Sequence, residues 1–260
     1  MTDGQQPKIR GVLIRAGLVL LVLAVAGSGI WLLRAASRPE QSPIEVPAAS
    51  VPTADVEPGA VVPPQPQAGA VGEDPLHTWA NRVAGRIDVP ARALMAYGNA
   101  ELVLRETAPA CHLSWATLAG IGRVESNHGR FGGAQLRDDG RPSKPIIGVP
   151  LDGSAGVKAI GDTDHGRYDG DPAVDRAVGP MQFIPSTWRK WGADANLDGV
   201  GDPQQIDDAA LAAGRYLCAG GRDLATPEGW WAAVFSYNNS VPYGQKVFGL
   251  ADDYARAASV

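Results

Sequence analysis

The spacing of apolar residues divides the chain into a long apolar segment, an aperiodic segment and a series of amphipathic helices. Residues 16–33 carry no charge and are long enough to cross a bilayer as one helix. Residues 34–73 are rich in Pro and Ala and have no sustained period, which predicts a disordered linker. From Asp74 onward apolar residues recur mainly at helical spacing, and strand-like alternation is scarce. The sequence therefore predicts a mainly α domain over residues 74–260.

Capping residues and prolines predict where the helices of this domain begin. The predicted starts are Pro75, Pro90, Ser114, Ser186, Asp207, Pro227 and Val241. The third helix is expected to run from Ser114 to about His128, with Gly129 as its stop. Residues 131–178 are rich in Gly, Asp and Pro and lack strong periodicity, and an irregular segment of this length inside a domain is more often functional than not.

The charges around residues 16–33 predict an orientation in the membrane. Three basic residues precede the segment and two follow it: Lys8, Arg10, Arg15, Arg34 and Arg38. This asymmetry favours a cytoplasmic tail at residues 1–15 and a domain outside the plasma membrane. A cleaved signal peptide is the alternative, and it would give a secreted protein. The net charge of -5, with no dense Lys/Arg run, gives nucleic-acid binding little support.

The chain has two cysteines, Cys111 and Cys218, and both lie in the segment predicted to be exported. A single disulfide is the simplest interpretation in an oxidising compartment. Two buried free thiols are the alternative. A metal site at this pair is not favoured, because no companion ligands stand at zinc-like spacing.

Glu125 is the most informative residue, because it lies on an otherwise apolar helical stripe. Leu118, Ile121 and Gly122 share that stripe, so Glu125 points where a core residue normally points. Burial and the negative end of the helix dipole both disfavour its ionised form. A carboxyl group kept protonated near neutral pH is suited to general acid catalysis. A paired or snorkelling glutamate is the alternative interpretation.

Two further motifs carry amides and aromatic rings in apolar surroundings. Residues 178–188 read VGPMQFIPSTW and place Gln182 after a glycine-proline turn. Residues 236–239 read SYNN at the end of a Trp-rich helix. Buried amides need hydrogen-bond partners, and sugar hydroxyl and acetamido groups are suitable ones. Each motif separately is also compatible with a network that only stabilises a loop.

Residues 194–202 read DANLDGVGD, which is similar to the start of an EF-hand calcium loop. Asp194, Asn196 and Asp198 stand at positions 1, 3 and 5, and Val200 at position 7 can offer its carbonyl. Position 12 is Gln205 instead of the usual acidic ligand, so the pattern is incomplete. A solvated Asp/Asn turn that caps the next helix is the alternative to a structural Ca²⁺ site.

Four ordered motifs together resemble the membrane-bound lytic transglycosylase B family of murein-cleaving enzymes, which have a lysozyme-like fold. The motifs read GRVESNHGRFGG, AVGPMQFIPSTW, GADANLDGVGDPQQIDDAALAAGRYL and FSYNNSVPYG. The resemblance implies that Glu125 is the catalytic acid and base and that five residues contact substrate: Ser126, Gln182, Tyr216, Tyr237 and Asn238. It also implies that Asp208 closes the calcium loop. Asp202 is an additional candidate ligand. The segment before Gln182 departs from the better-known Gram-negative members of the family, so the resemblance assigns no hydroxyl contact to that segment.

The activity implied by the resemblance is cleavage of the β-1,4 bond between N-acetylmuramic acid and N-acetylglucosamine, leaving 1,6-anhydromuramyl ends. Peptidoglycan glycan strands are the expected partner, and no cofactor or metal is expected in catalysis. A lysozyme-like hydrolase, in which an Asp from residues 162–175 positions water, is the first alternative. The second is a non-catalytic protein that binds the wall as a scaffold.

Overall fold

The regular structure is almost entirely helical in the computed structural model, which describes residues 74–154 and 156–259. Its α-helices are α1 Pro75–Ala84, α2 Ala91–Thr107, α3 Trp115–Ser126, α4 Pro185–Trp191, α5 Ile206–Leu217, α6 Pro227–Tyr237 and α7 Val241–Ala258. Strands β1 Ile147–Pro150 and β2 Arg176–Val178 pair antiparallel. Short 3-10 turns occur at Pro109–Cys111, Phe131–Gly133 and Ala219–Gly221. The prediction of a mainly α domain is confirmed.

The predicted tail, membrane segment and linker, residues 1–73, lie outside the described residues, so these predictions remain predictions. Within residues 74–154 and 156–259, no helix combines the length and the hydrophobicity that a membrane span requires.

Helix starts with a local capping signal were predicted correctly. The side chains of Asp74, Ser114 and Thr226 each accept a backbone N–H from the first turn of the helix that follows. The predicted starts of α2, α4 and α5 were wrong by one residue, and Ser114 is the N-cap of α3, one residue before its start. Helix α4 begins at Pro185, because proline fits the first helical position. Helix α5 begins at Ile206, because the side chain of Gln205 accepts the N–H of Asp207.

Helix α3 lies at the centre of the core and is buried on all sides from Trp115 to Gly122. Its N-terminus is held by a carboxylate of α2, since Glu101 Oε2 accepts the backbone N–H of Trp115 at 2.6 Å. Its middle packs directly against the backbone of α7, where a Cβ on Gly120 would lie 2.8 Å from the carbonyl oxygen of Val247. Glu125, in the last turn, therefore lies on a firmly packed helix.

The predicted disulfide between Cys111 and Cys218 is confirmed, with a Cα–Cα distance of 5.4 Å. It joins the turn before α3 to the end of α5 across 107 residues of sequence. In the chain-entropy model, a disulfide that closes a loop of this length stabilises the folded protein by about 4–5 kcal/mol.

Residues 131–178 are mostly turns, as predicted, but the two short strands were missed. Strand β1 has four residues and β2 has three, which is too short for alternation to be recognised. Aspartate side chains of this segment accept hydrogen bonds from backbone N–H groups of the same segment. Asp162 Oδ1 accepts the N–H groups of Asp164 and Gly166, and Asp169 Oδ2 accepts the N–H of Arg176.

Candidate active site

Glu125 lies in the last turn of α3, as predicted. The helix ends at Ser126, and Asn127, His128 and Gly129 all have positive φ. This left-handed run begins two residues before the predicted stop at Gly129 and turns the chain away from the helix axis.

The carboxyl group of Glu125 is half-buried, and its Oε1 accepts a hydrogen bond from the hydroxyl of Tyr243 at 2.6 Å. Burial raises the pKa of Glu125 to about 7, and the hydrogen bond from Tyr243 opposes this by favouring the ionised form. A carboxyl group with this pKa donates and accepts a proton at neutral pH with little cost in either direction.

Tyr243 was missed by the sequence reasoning, although it belongs to the FSYNNSVPYG motif. It lies in the first turn of α7, which Ser240 caps, and it is largely buried. It reaches Glu125 across 118 residues of sequence, so no local pattern indicates the contact.

Ser126 connects the end of α3 to the loop that carries Gln182. Its hydroxyl donates to the carbonyl oxygen of Pro180 at 2.6 Å and accepts the N–H of Gly129 at 2.7 Å. The side chain is buried, so in this arrangement the hydroxyl positions the loop instead of facing solvent.

The predicted glutamine is held in a tight turn beside this connection. Gln182 is half-buried with φ of 50°, and its Nε2 donates to the carbonyl oxygen of Gly179 at 3.0 Å. Positive φ at a glutamine is unusual and costs free energy, which the surrounding contacts must offset. The turn fixes where the amide oxygen of Gln182 points.

Two of the predicted substrate residues form an aromatic row that reaches the same loop. The hydroxyl of Tyr237 donates to the carbonyl oxygen of Met181 at 2.7 Å. The ring centroids of Tyr216 and Tyr237 are 5.6 Å apart, and those of Trp191 and Tyr216 are 5.8 Å apart, both edge to face. Burial and the nearby charge of Glu125 raise the pKa of Tyr237 well above its ordinary value. Asn238 follows Tyr237 and is exposed.

The structure therefore brings Glu125, Ser126, Gln182 and Tyr237 together around one loop, residues 178–184. Tyr216 packs against the ring of Tyr237. Asn238, the next residue after Tyr237, is exposed. Tyr243 and Trp191 join a site that sequence reasoning assigned without them.

The predicted calcium ligands lie in one loop, residues 194–208, whose carboxylates accept hydrogen bonds from the loop's own backbone. Asp194 accepts the N–H groups of Asp198 and Gly199. Asp208 is fully buried and accepts three backbone N–H groups, those of Ala195, Asn196 and Asp202. The side-chain nitrogen of Asn196 donates to Asp198 Oδ2 at 3.0 Å, and its side-chain oxygen accepts the backbone N–H of Asp198 at 3.1 Å. Burial raises the pKa of Asp208 to about 6. The calcium site at this loop stays a prediction.

A different acidic group has the spacing that a cation can bridge. Within the described residues, Asp162, Asp164 and Asp175 are the three carboxylates whose oxygens lie within 4.8 Å of one another. Asp175 is fully buried, and both of its oxygens already accept hydrogen bonds from Thr163 at 2.8 Å.

The pH dependence of stability is predicted to report on Glu125. The pKa of Glu125, about 7, lies above the ordinary value of 4.5. The contribution of Glu125 to the free energy of unfolding is therefore fully present below pH 4.5 and is lost as the pH rises to 7. The free energy of unfolding of Glu125→Gln, relative to that of the wild type, should therefore rise by up to about 3 kcal/mol from pH 4 to pH 8. Urea unfolding at several pH values measures this difference.

The free energies of unfolding of the wild type and of Glu125→Gln must be subtracted at each pH, because His128 is present in both proteins. His128 changes their stability with pH in the opposite direction. Burial lowers the pKa of His128 to about 3, so its contribution is lost as the pH falls from 6.5. Glu106→Gln, on the exposed face of α2, is the matched control for a glutamate-to-glutamine change outside the site. An equal, pH-independent effect of the two substitutions would contradict a raised pKa at Glu125.

The chain is similar to two solved structures of the Escherichia coli lytic transglycosylase Slt35, each at 14% identity with a TM-score of 0.36. The structure in complex with bulgecin A is matched over 74% of this chain and 81% of that chain. The structure in complex with calcium is matched over 70% of this chain and 79% of that chain. No protein-family model matches the chain, and no curated protein matches it by sequence.

Proposed function

We propose that the chain is a peptidoglycan lytic transglycosylase with a lysozyme-like catalytic domain. The observation that supports this best is one half-buried carboxyl group, Glu125, with a pKa near 7 and a fixed orientation. It lies beside a loop that presents the amide of Gln182 and beside the aromatic row that includes Tyr237. The four ordered sequence motifs that resemble membrane-bound lytic transglycosylases point to the same reaction.

Tyr243 determines which carboxyl oxygen of Glu125 carries the acid proton. Because the tyrosine hydroxyl donates to Oε1, the proton of the neutral acid lies on Oε2. In the proposed reaction this proton passes to the glycosidic oxygen between N-acetylmuramic acid and N-acetylglucosamine, and the bond from that oxygen to C1 breaks. The substrate's own acetamido group stabilises the positive charge that develops at C1.

In the second step Glu125, now ionised, accepts the proton of the muramyl C6 hydroxyl while the C6 oxygen bonds to C1. The product is a 1,6-anhydromuramyl end, and Glu125 regains the proton it gave. The hydrogen bond from Tyr243 stabilises the ionised state between the two steps. Gln182 and the rings of Tyr216 and Tyr237 supply polar and stacking contacts to the sugars.

The hydrolytic alternative requires a second acid to position water. The aspartates of residues 162–175 accept hydrogen bonds from their own segment, as Asp162 does from Gly166 and Asp175 from Thr163. These contacts use the carboxylates of Asp162 and Asp175 to fold the loop, which favours cyclisation with Glu125 as both acid and base.

We also propose that residues 16–33 anchor the enzyme to the outer face of the plasma membrane and that residues 34–73 tether it within reach of the wall. The uncharged length of the first segment and its flanking basic residues support this.

Digestion of purified murein by the full-length protein tests the proposed reaction. Mass analysis of the released sugar termini is expected to give muropeptides lighter by one water than the hydrolytic products. Reducing muramic acid ends would establish a lysozyme-type hydrolase instead. Failure to release any murein under conditions where a known muramidase does so would leave the non-catalytic scaffold as the better explanation.

A further inference from the structure

We propose that Gly148 in strand β1 is a positioning residue for sugar binding, because its missing side chain leaves room for the amide oxygen of Gln182. The inference rests on the proposed function, in which Gln182 contacts the sugars. In this role Gly148 acts only through Gln182 and does not itself touch the substrate.

The amide of Gln182 is confined on its nitrogen side by its own turn and on its oxygen side by β1. Its Nε2 donates to the carbonyl oxygen of Gly179 at 3.0 Å. On the other side, a Cβ added to Gly148 would lie only 3.0 Å from Oε1 of Gln182. This distance is shorter than the optimum for non-bonded heavy atoms, so a side chain at position 148 must displace one of its neighbours.

Strand β1 and the turn that carries Gln182 are joined by the backbone, so they cannot easily move apart. The carbonyl oxygen of Ile146, directly before β1, accepts the N–H of Gly179 at 2.8 Å. Ile146 is buried, and the side-chain amide of Gln204 bonds to both its N–H and its carbonyl oxygen at 3.0 Å. The width of the gap between β1 and Gln182 is therefore set by hydrogen bonds that do not involve Gln182.

The backbone of Gly148 is also held by β2. Its carbonyl oxygen accepts Nη1 of Arg176 at 3.3 Å, and Nε of Arg176 donates to Oδ2 of Asp171 at 3.0 Å. A Cβ on Gly148 would lie 3.3 Å from the carbonyl oxygen of Ala177, so the strand has little room to turn toward β2. The flexible amide of Gln182 is therefore the group that yields most easily to a side chain at position 148.

The backbone conformation of Gly148 does not itself require glycine. Its φ is not positive, unlike that of Gly179, and it lies in a strand, where alanine fits the backbone. Glycine inside a strand costs stability relative to residues with side chains, and it often marks the close approach of another group. Here the group that approaches is the amide oxygen of Gln182.

Kinetics of the full-length protein on solubilised glycan strands test the proposal. Misplacing one neutral hydrogen bond costs a factor of about 2–10 in binding, so Gly148→Ala is expected to raise KM by that factor and to leave kcat within about twofold. Gly161→Ala is the matched control in the same segment. The φ of Gly161 is not positive either, and nothing lies within 4 Å of its Cβ position, so both constants should stay unchanged.

The same substitution in a Gln182→Ala background shows whether Gly148 acts through the amide. Without the glutamine side chain the new Cβ has no Oε1 to displace, so Gly148→Ala is expected to change KM by less than about 1.5-fold. An equal increase in KM in both backgrounds would overturn the proposal, because the effect would then come from the strand. Failure of Gly148→Ala to fold would overturn it as well, since the amide would then not be the group that yields.

The side-chain amide signals of Gln182, recorded by heteronuclear NMR on the full-length protein, test the positioning role without requiring cleavage. They are expected to shift in Gly148→Ala and to stay in place in Gly161→Ala. Unchanged signals in Gly148→Ala would overturn the proposal even if the wild type cleaves murein. A wild type that releases no murein would instead count against the proposed function, and the amide signals would still decide whether Gly148 orients Gln182.

Discussion

Glu125→Gln is expected to reduce murein cleavage by about 10²–10⁴-fold, because the amide can neither donate the acid proton nor accept one from the C6 hydroxyl. The substitution keeps the shape of the side chain, and the amide can still accept the hydrogen bond from Tyr243. Binding of glycan strands should therefore change little, while the catalytic rate falls. Initial rates of release of soluble muropeptides, at saturating murein, measure the effect.

Glu106→Gln provides the matched activity control. Glu106 lies on α2 and is exposed, so its substitution should leave the rate within about twofold of the wild type. If Glu125→Gln retained more than one-tenth of the wild-type rate, another group would have to be the acid and base. In that case the assignment of Glu125 would fail even though the helix, the loop and the aromatic row remain as described.

Features that depend on neighbouring residues could be predicted from the sequence. The caps at Asp74, Ser114 and Thr226 act within the first turn of their helices, so residue identity alone indicates them. Glu125 was placed in the last turn because a helical stripe and a glycine stop both lie within a few residues of it. The disulfide followed from there being two cysteines in the predicted exported part.

Features that depend on distant segments could not be predicted in the same way. Tyr243 meets Glu125 because α7 packs against α3 at Gly120, and that approach is a property of the tertiary structure. The contact between Arg141 and Asp202 likewise spans 61 residues of sequence, and no local pattern indicates it.

Gly179→Ala is expected to destabilise the protein by about 3–5 kcal/mol and to disrupt the loop of residues 178–184. Gly179 has φ of 77°, which costs an alanine about 1–2 kcal/mol. In addition, a Cβ there would overlap the carbonyl oxygen of Pro203 and lie 2.6 Å from its carbonyl carbon. These are backbone atoms three residues before the start of α5, so the chain must move to relieve the overlap.

Gly170→Ala separates the two causes, because Gly170 has nearly the same φ, 78°, but nothing lies within 4 Å of its Cβ position. Urea unfolding should show a loss of only about 1–2 kcal/mol for this control. Equal losses of stability for the two variants would mean that the positive φ alone explains the effect at Gly179 and that the overlap with Pro203 is relieved at no cost.

If the overlap matters, Gly179→Ala should also reduce the rate of murein cleavage by the protein that remains folded. The shift would move Gln182, whose amide bonds to the Gly179 carbonyl, and Pro180, whose carbonyl oxygen accepts from Ser126 beside Glu125.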